Sequence, residues 1–306
     1  MSPREDARIR SLNPLLHNRT KSGTLVPIAA ALLAMVSVQT GASIAKTLFP
    51  VIGPVGTVAL RIGFGTLVLV MALRPWRTRI SKTNWQPLAL YGVSIGVMNL
   101  CFYLALSRIP LGLAVALEFT GPLAVAVLSS RRPVDFLWIG LALVGLGLIL
   151  PIAHTGQGIN SIGALFALGA GACWALYIVF GRKTGVDHGA QSVALGSLIS
   201  AVIVVPAGVL SAPPALFSRS VILFGLAVGI LSTALPYALD MVALTRLPAR
   251  TFGVLMSLDP AVGALCGWIL LDERLTPLQW MAIALIIVAS AGSASTVQGV
   301  AAPVPD

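Results

Sequence analysis

What most constrains this chain is a succession of apolar runs, each about 20 residues long, separated by short breaks rich in charge, Pro or Gly. A helix needs about 20 largely apolar residues to cross roughly 30 Å of hydrocarbon. Ten runs approach that length, at approximately 25–45, 52–73, 86–106, 111–130, 136–153, 162–181, 191–210, 221–244, 251–270 and 277–297. Each is expected to be helical, because lipid offers no partner to the N–H and C=O groups of an open sheet. The fold class read from this pattern is all-α and integral to the membrane. Composition agrees, with 57% of residues hydrophobic, 10% charged and a mean hydropathy of +0.93. Ordinary soluble domains carry about 25% charge, so a water-soluble enzyme is excluded.

The net charge of +10 does not signal nucleic acid. Basic residues fall in short clusters between apolar runs, as membrane topology requires, and no basic helix face carries interleaved aromatics. One side of the predicted bundle holds the tail charges Arg4, Arg8, Arg10, Arg19 and Lys21 and the clusters around Arg74–Lys82, Arg131–Arg132, Arg182–Lys183 and Arg246–Arg250. The other holds Lys46, Arg108, Arg219 and Arg274. Fifteen basic residues against four predict both termini in the cytoplasm. Residues 1–24 then form a cytoplasmic N-terminal tail and 298–306 a C-terminal one. The first apolar run is too long for a typical signal-peptide core and is read as an uncleaved anchor.

The chain also resembles itself. Leu106-Ser107-Arg108-Ile109-Pro110 pairs with Leu244-Thr245-Arg246-Leu247-Pro248 at an offset of 138, and Pro122 pairs with Pro260 at the same offset. Arg132 and Trp138 fall on Arg274 and Trp280 after a four-residue gap, and Val58-Ala59-Leu60 matches Val193-Ala194-Leu195 at an offset of 135. The two units are predicted at 25–153 and 162–297, five helices each. An odd helix count turns the second unit upside down, so the expectation is ten transmembrane helices as two inverted five-helix repeats. Such repeats recur in secondary transporters, with the site near the midplane.

Ionisable groups inside the bilayer cost at least about 2.5–3.5 kcal/mol each on insertion scales. Arg61, Glu118 and Asp259 stand near the middle of predicted spans and should face a polar cavity or one another, whereas Asp240 stands nearer the cytoplasmic end of its span. Arg61 is either a group that receives a carboxylate bidentately or a structural partner for Glu118 or Asp259. Glu118 is either an ammonium or proton carrier or a buried strut, and Asp259 divides the same way. Pro122, Pro236 and Pro260 cannot donate to the carbonyls of Glu118, Ser232 and Met256, so each is either a site or hinge or a kink that only shapes packing. Gln39, Asn99, Tyr103, Trp174 and Tyr177 lie within spans, either lining a cavity or packing helices. The GxxxG pairs Gly92/Gly96, Gly225/Gly229 and Gly263/Gly267 permit close helix approach.

Other signals are negative. Thr40–Thr47 ends like a P-loop but lacks its glycines. His17, His154 and His188 are scattered, so no metal site is expected. Cys101, Cys173 and Cys266 read as small core residues. A membrane-embedded lipid-modifying enzyme or a scaffold is the rival class, but no catalytic cluster can be placed at one interface.

Several stretches resemble the drug/metabolite transporter superfamily, EamA type, and within it the bacterial exporters of threonine and homoserine. They are Gln39–Lys46 (QTGASIAK), Pro110–Pro122 (PLGLAVALEFTGP), Ser129–Phe136 (SSRRPVDF), Gly169–Ala175 (GAGACWA) and Leu231–Tyr237 (LSTALPY). The resemblance implies an inner-membrane exporter of small amino acids driven by the proton gradient, without a cofactor. Arg61 would then take the substrate carboxylate and Glu118 its ammonium. Gln39, Asn99, Tyr103, Trp174 and Tyr177 would shape the cavity, and Glu118 and Asp259 would serve proton coupling. An exporter of drugs or other metabolites on the same fold is the alternative.

Overall fold

The computed structural model describes residues 3–77, 85–128, 133–149, 160–188, 191–244, 246–247 and 249–296. Among them there is no strand. The first part of the chain forms α1 (Pro3–Thr47), α2 (Phe49–Leu73), α3 (Trp85–Leu106), α4 (Leu111–Glu118), α5 (Thr120–Leu128) and α6 (Pro133–Ile149). The second forms α7 (Ser161–His188), α8 (Gln191–Ser211), α9 (Arg219–Gly229), α10 (Leu235–Leu244), α11 (Ala249–Met256), α12 (Asp259–Leu271) and α13 (Pro277–Thr296). The expected tail 298–306, the end of the fifth expected span at 150–153, His154, Thr245, Pro248 and the basic residues Arg79, Lys82, Arg131 and Arg132 lie outside the described residues, as do the side chains of 1–24.

Among the described residues six stretches are long and apolar enough to cross a membrane: Leu25–Thr47, Phe49–Leu73, Trp85–Leu106, Ser161–Gly185, Gln191–Ser211 and Val254–Leu271. Leu111–Val125, Phe136–Leu148, Arg219–Ala234 and Pro277–Ser293 are shorter apolar helices. The ten runs read from the sequence therefore divide into full-length and shorter segments.

Many large apolar residues point outward, with Leu33 58%, Leu165 70%, Val202 73% and Ile269 70% exposed. The interior mixes large side chains such as Leu106, Leu113, Leu117 and Ile286 with many small ones, including Ala31, Ala45, Ala105, Ala116, Ala167 and Ala194. Lipid removes the penalty on the outer apolar surface, and small residues let helix backbones approach. All three GxxxG pairs lie on such approaches. Gly92 and Gly96 face Ile199 and Ser200 of α8, Gly225 and Gly229 face Leu60 and Phe64 of α2, and Gly263 and Gly267 face Val115 and Leu111 of α4.

The dominant packing pairs are α3 with α7 and α8, α2 with α8, α1 with α10 and α12, α4 with α12, and α6 with α13. Several described connections meet in packed clusters. At one end Leu48 and Ile52 pack with Leu216 and Val221, and Gly163 abuts Arg108 and Ile109. At the other, Ala31 packs with Ala243 and Leu247. Within α2 the backbone kinks at Gly53, whose φ of +70° suits a residue without Cβ, just before Pro54.

Three rods are interrupted. α4 and α5 are separated by Phe119, and α11 and α12 by Ser257 and Leu258. Between α9 and α10 runs a π-helical stretch, Ile230–Ala234. Pro122, Pro260 and Pro236 stand just beyond these interruptions, where each withholds an N–H from the preceding turn.

Candidate functional site

The interruptions surround one cavity of about 210 Å³. Its wall combines Met35, Val38, Gln39 and Ala42 of α1 with Arg61 of α2 and Met98, Asn99 and Phe102 of α3. Glu118, Trp174, Asp240, Met256 and Asp259 complete it. Glu118 is the last residue of α4 and Asp259 the first of α12, so each carboxylate sits where its helix breaks.

The break at Glu118 is tightly enclosed. A Cβ on Gly171 would lie 2.7 Å from the Glu118 carbonyl oxygen, the acceptor that Pro122 cannot serve. Gly121 in turn meets the Gly171 carbonyl so closely that a Cβ there would collide with it. Thr120 Oγ1 donates to the Leu117 carbonyl at 2.6 Å, and Ser257 Oγ donates to the Val254 carbonyl at 2.6 Å. A hydroxyl therefore takes up one carbonyl near each break, in both halves of the chain.

Arg61 is the cation of the cavity wall. Its Nη2 donates to the Ser232 carbonyl at a long 3.4 Å, and its guanidinium carbon lies 5.5 Å from the Tyr103 ring centroid. Its Nε is buried without a hydrogen-bond partner. No carboxylate lies within ion-pair distance of Arg61 among the described residues. The alternative of Arg61 as a structural partner of Glu118 or Asp259 finds no such contact.

Gln39, 2% exposed, donates from Nε2 to Asp259 Oδ1 at 3.0 Å. Asn99 Nδ2 donates to the Ile95 carbonyl at 2.9 Å, and Trp174 meets Phe119 edge-on at 5.4 Å between ring centroids. Five buried polar atoms without partners belong to the cavity wall or to the groups that hold Arg61: Gln39 Oε1, Arg61 Nε, Asp240 Oδ1, Tyr103 Oη and Ser232 Oγ. Buried polar groups are normally satisfied, so this concentration marks a place that water or a solute completes.

Gln39, Arg61, Asn99, Glu118, Trp174 and Asp259 thus come together on one cavity wall. Tyr103 stands behind Arg61, fully buried, and does not line the cavity. Tyr177 lies outside it, stacked on Tyr91 at 5.1 Å in a cluster with Leu88, Ile95 and Leu195. Asp240, placed by sequence near the cytoplasmic interface, belongs instead to the wall. Its location depends on the π-helical stretch, which advances the helix register ahead of it. Pro122 and Pro260 adjoin the two breaks, and Pro236 follows the π-helical stretch. No group of three His, Cys, Asp or Glu suited to a metal ion occurs among the described residues.

At one end the cavity is capped. Lys46 Nζ bonds Glu273 Oε1 at 2.5 Å and donates to the Ile109 carbonyl at 3.2 Å. The Leu111 N–H donates to Glu273 Oε2 at 2.7 Å. The end of α1, the start of α4 and the segment after α12 are thereby tied together. Beneath this tie, α4 and α12 touch through backbone, since a Cβ on Gly112 would lie 2.5 Å from Ala264 Cα. By contrast, α5 packs on α7 and α13, and α11 on α13 and α1.

Comparison with known proteins gives this arrangement its context. The chain is 56% identical over 273 residues to the threonine/homoserine exporter RhtA of Escherichia coli K12, covering 89% of this chain and 92% of that one. It is 54% identical over 273 residues to RhtA of Salmonella typhimurium LT2, with the same coverage. An uncharacterised transporter of Bacillus subtilis, YwfM, is 27% identical over 248 residues, covering 76% of this chain and 82% of the relative. These relatives are named as transporters, not enzymes. A solved crystal structure shares the fold with a TM-score of 0.60 at 21% identity, covering 90% of this chain and 97% of the other. The EamA-like transporter family matches twice, at residues 25–152 and 161–294, and the chain is therefore a membrane-embedded, multi-pass member of that family.

Proposed function

We propose that this protein exports small amino acids, threonine and homoserine among them, across the bacterial inner membrane by proton-coupled alternating access. The observation that carries the reading is Arg61, a guanidinium without a carboxylate partner, sharing one small cavity with Glu118, Asp240 and Asp259. Arg61 receives the substrate carboxylate through its planar fork, and Glu118 receives the ammonium. Three carboxylates against one guanidinium leave a negative surplus that protons at Glu118 and Asp259 balance. A cavity of about 210 Å³ suits a small zwitterion better than a drug, whose pockets run to roughly 300–1,000 Å³. The drug-exporter alternative is disfavoured for that reason.

The proposed architecture is ten spans in two inverted repeats, 25–153 and 162–297, with both termini cytoplasmic. Two matches to one family support the repeat, and so does the symmetry of the packing. Exchanging the first five rods with the last five converts α3 with α7 into α10 with α1, and α3 with α8 into α9 with α2. It returns α2 with α8 and α6 with α13 to themselves, and all these pairs are present. Under the 138-residue offset, α4 corresponds to α11 and α5 to α12. The opposite state would part α4 from α12 and bring α11 against α5, with Pro122, Pro236 and Pro260 at the hinges. The fifteen-to-four distribution of basic residues supports a periplasmic position for the Lys46–Glu273 tie.

Uptake of radiolabelled threonine into inside-out vesicles tests the reading. Accumulation that needs the protein and collapses with the proton gradient is expected. Equal uptake by vesicles lacking the protein would overturn it.

A further inference from the structure

We propose that Gln39 recognises the side-chain hydroxyl of the transported amino acid, accepting a hydrogen bond from it on Oε1. The inference rests on the amino-acid reading above and adds the feature that separates threonine from valine, which has the same branched shape with a methyl in place of the hydroxyl.

The orientation of the amide is set by its neighbour. Asp259 presents an oxygen to Nε2 at 3.0 Å, and in the deprotonated step of the cycle that carboxylate only accepts. The donor side of the Gln39 amide therefore turns to Asp259, and the acceptor side turns away. That acceptor, Oε1, is buried and has no partner. Beside it lies Gly263, where an added Cβ would come within 3.5 Å of Oε1, so the neighbouring helix adds no side chain there.

Nothing in the wall satisfies this oxygen. Asn99 Nδ2 bonds the Ile95 carbonyl and Arg61 Nη2 the Ser232 carbonyl, while Arg61 Nε is itself without a partner and so does not bond Gln39 Oε1. A donor must arrive with the occupant. An amino acid brings two kinds, its ammonium and, in threonine or homoserine, a hydroxyl. The ammonium has Glu118 and Asp240 on the same wall, both of which attract positive charge as a neutral amide does not. The hydroxyl is left for Gln39. A site built to bond a substrate hydroxyl rejects the analogue lacking it far more strongly than an apolar pocket separates such pairs.

The test is transport by the purified full chain in proteoliposomes, comparing threonine with valine and homoserine with 2-aminobutyrate, its analogue without the hydroxyl. Wild type is expected to favour the hydroxylated member of each pair by at least about 100-fold in kcat/KM. Gln39→Leu should collapse both ratios, lowering threonine transport at least tenfold more than valine transport. Gln39→Glu, which keeps an acceptor oxygen, should retain a preference for threonine. Wild-type ratios near one would overturn the inference even if every variant failed to fold. An equal fall for threonine and valine in Gln39→Leu would also overturn it, assigning Oε1 to the ammonium. No wild-type transport of any of the four would instead overturn the amino-acid reading itself.

Discussion

Arg61 Nη2 donates to the Ser232 carbonyl, 3.4 Å away, and Ser232 stands four residues before Pro236. A proline has no N–H to give that carbonyl, nor the Leu231 carbonyl five residues back in the π register. Those two acceptors are the ones taken by Arg61 and by Ser37 Oγ, the latter at 2.7 Å. The side chain proposed to hold substrate thus leans on backbone that a hinge proline leaves without its helical donor. Substrate that pulls Arg61 inward loosens its hold on the π-helical stretch.

Replacing Arg61 separates charge from shape. Arg61→Lys keeps the cation but loses the fork and its reach to Ser232. The KM for threonine is expected to rise at least tenfold, and Arg61→Gln should abolish saturable transport. Initial rates in proteoliposomes across a threonine concentration series check both.

Glu118 is expected to couple the cycle to protons. In Glu118→Gln, threonine exchange between two equally loaded compartments should persist, while accumulation driven by an imposed pH gradient falls to the level seen without one. A variant still driven by the gradient would remove Glu118 from that role.

The backbone contact at Gly121 sets a stability expectation. Gly121→Ala places a methyl against the Gly171 carbonyl oxygen and should cost about 1–3 kcal/mol as overpacking does. Gly140, where an added Cβ meets nothing within 4 Å, is the control. Gly140→Ala should be neutral or stabilise by about 0.5–1 kcal/mol, since a helical glycine carries an entropic cost. Thermal unfolding in detergent followed for both variants measures the difference.

The Lys46–Glu273 tie is expected to hold one end shut. Lys46→Met removes the cation that joins α1 to Glu273, whereas Lys46→Arg preserves charge. Cys266 packs against the core on α12, so its labelling reports separation of α12 from α4 and α1. In a Cys101→Ser, Cys173→Ser background, a membrane-impermeant maleimide added outside the cell should label Cys266 at least several-fold faster in Lys46→Met and little faster in Lys46→Arg.

The apolar runs and the three prolines were legible because both follow from local chemistry: lipid demands unbroken apolar length, and proline cannot donate. Arg61, Glu118 and Asp259 stood out because charge inside such a run is costly. Asp240 did not, because its position depends on the π-helical stretch Ile230–Ala234. An inserted residue turns everything beyond it by about 100° relative to a regular helix. Position along the span set Asp240 toward the cytoplasmic end, and the direction in which it turns depends on that stretch. For a different reason, the sequence could not choose between the two readings of Tyr177, cavity or packing. Its partner Tyr91 stands on α3, far away in the chain, and only the packing of α3 against α7 reveals that the two rings stack. The Lys46–Glu273 tie was equally invisible, since 227 residues separate its ends.

The close approaches at Gly92, Gly112 and Gly225 have a consequence for motion. Long, branched side chains there would interlock neighbouring rods like deep gear teeth, and moving one past another would force rotamer changes at every step. Bare backbone gives shallow relief instead, so at those crossings the rods can slide or rock with less resistance.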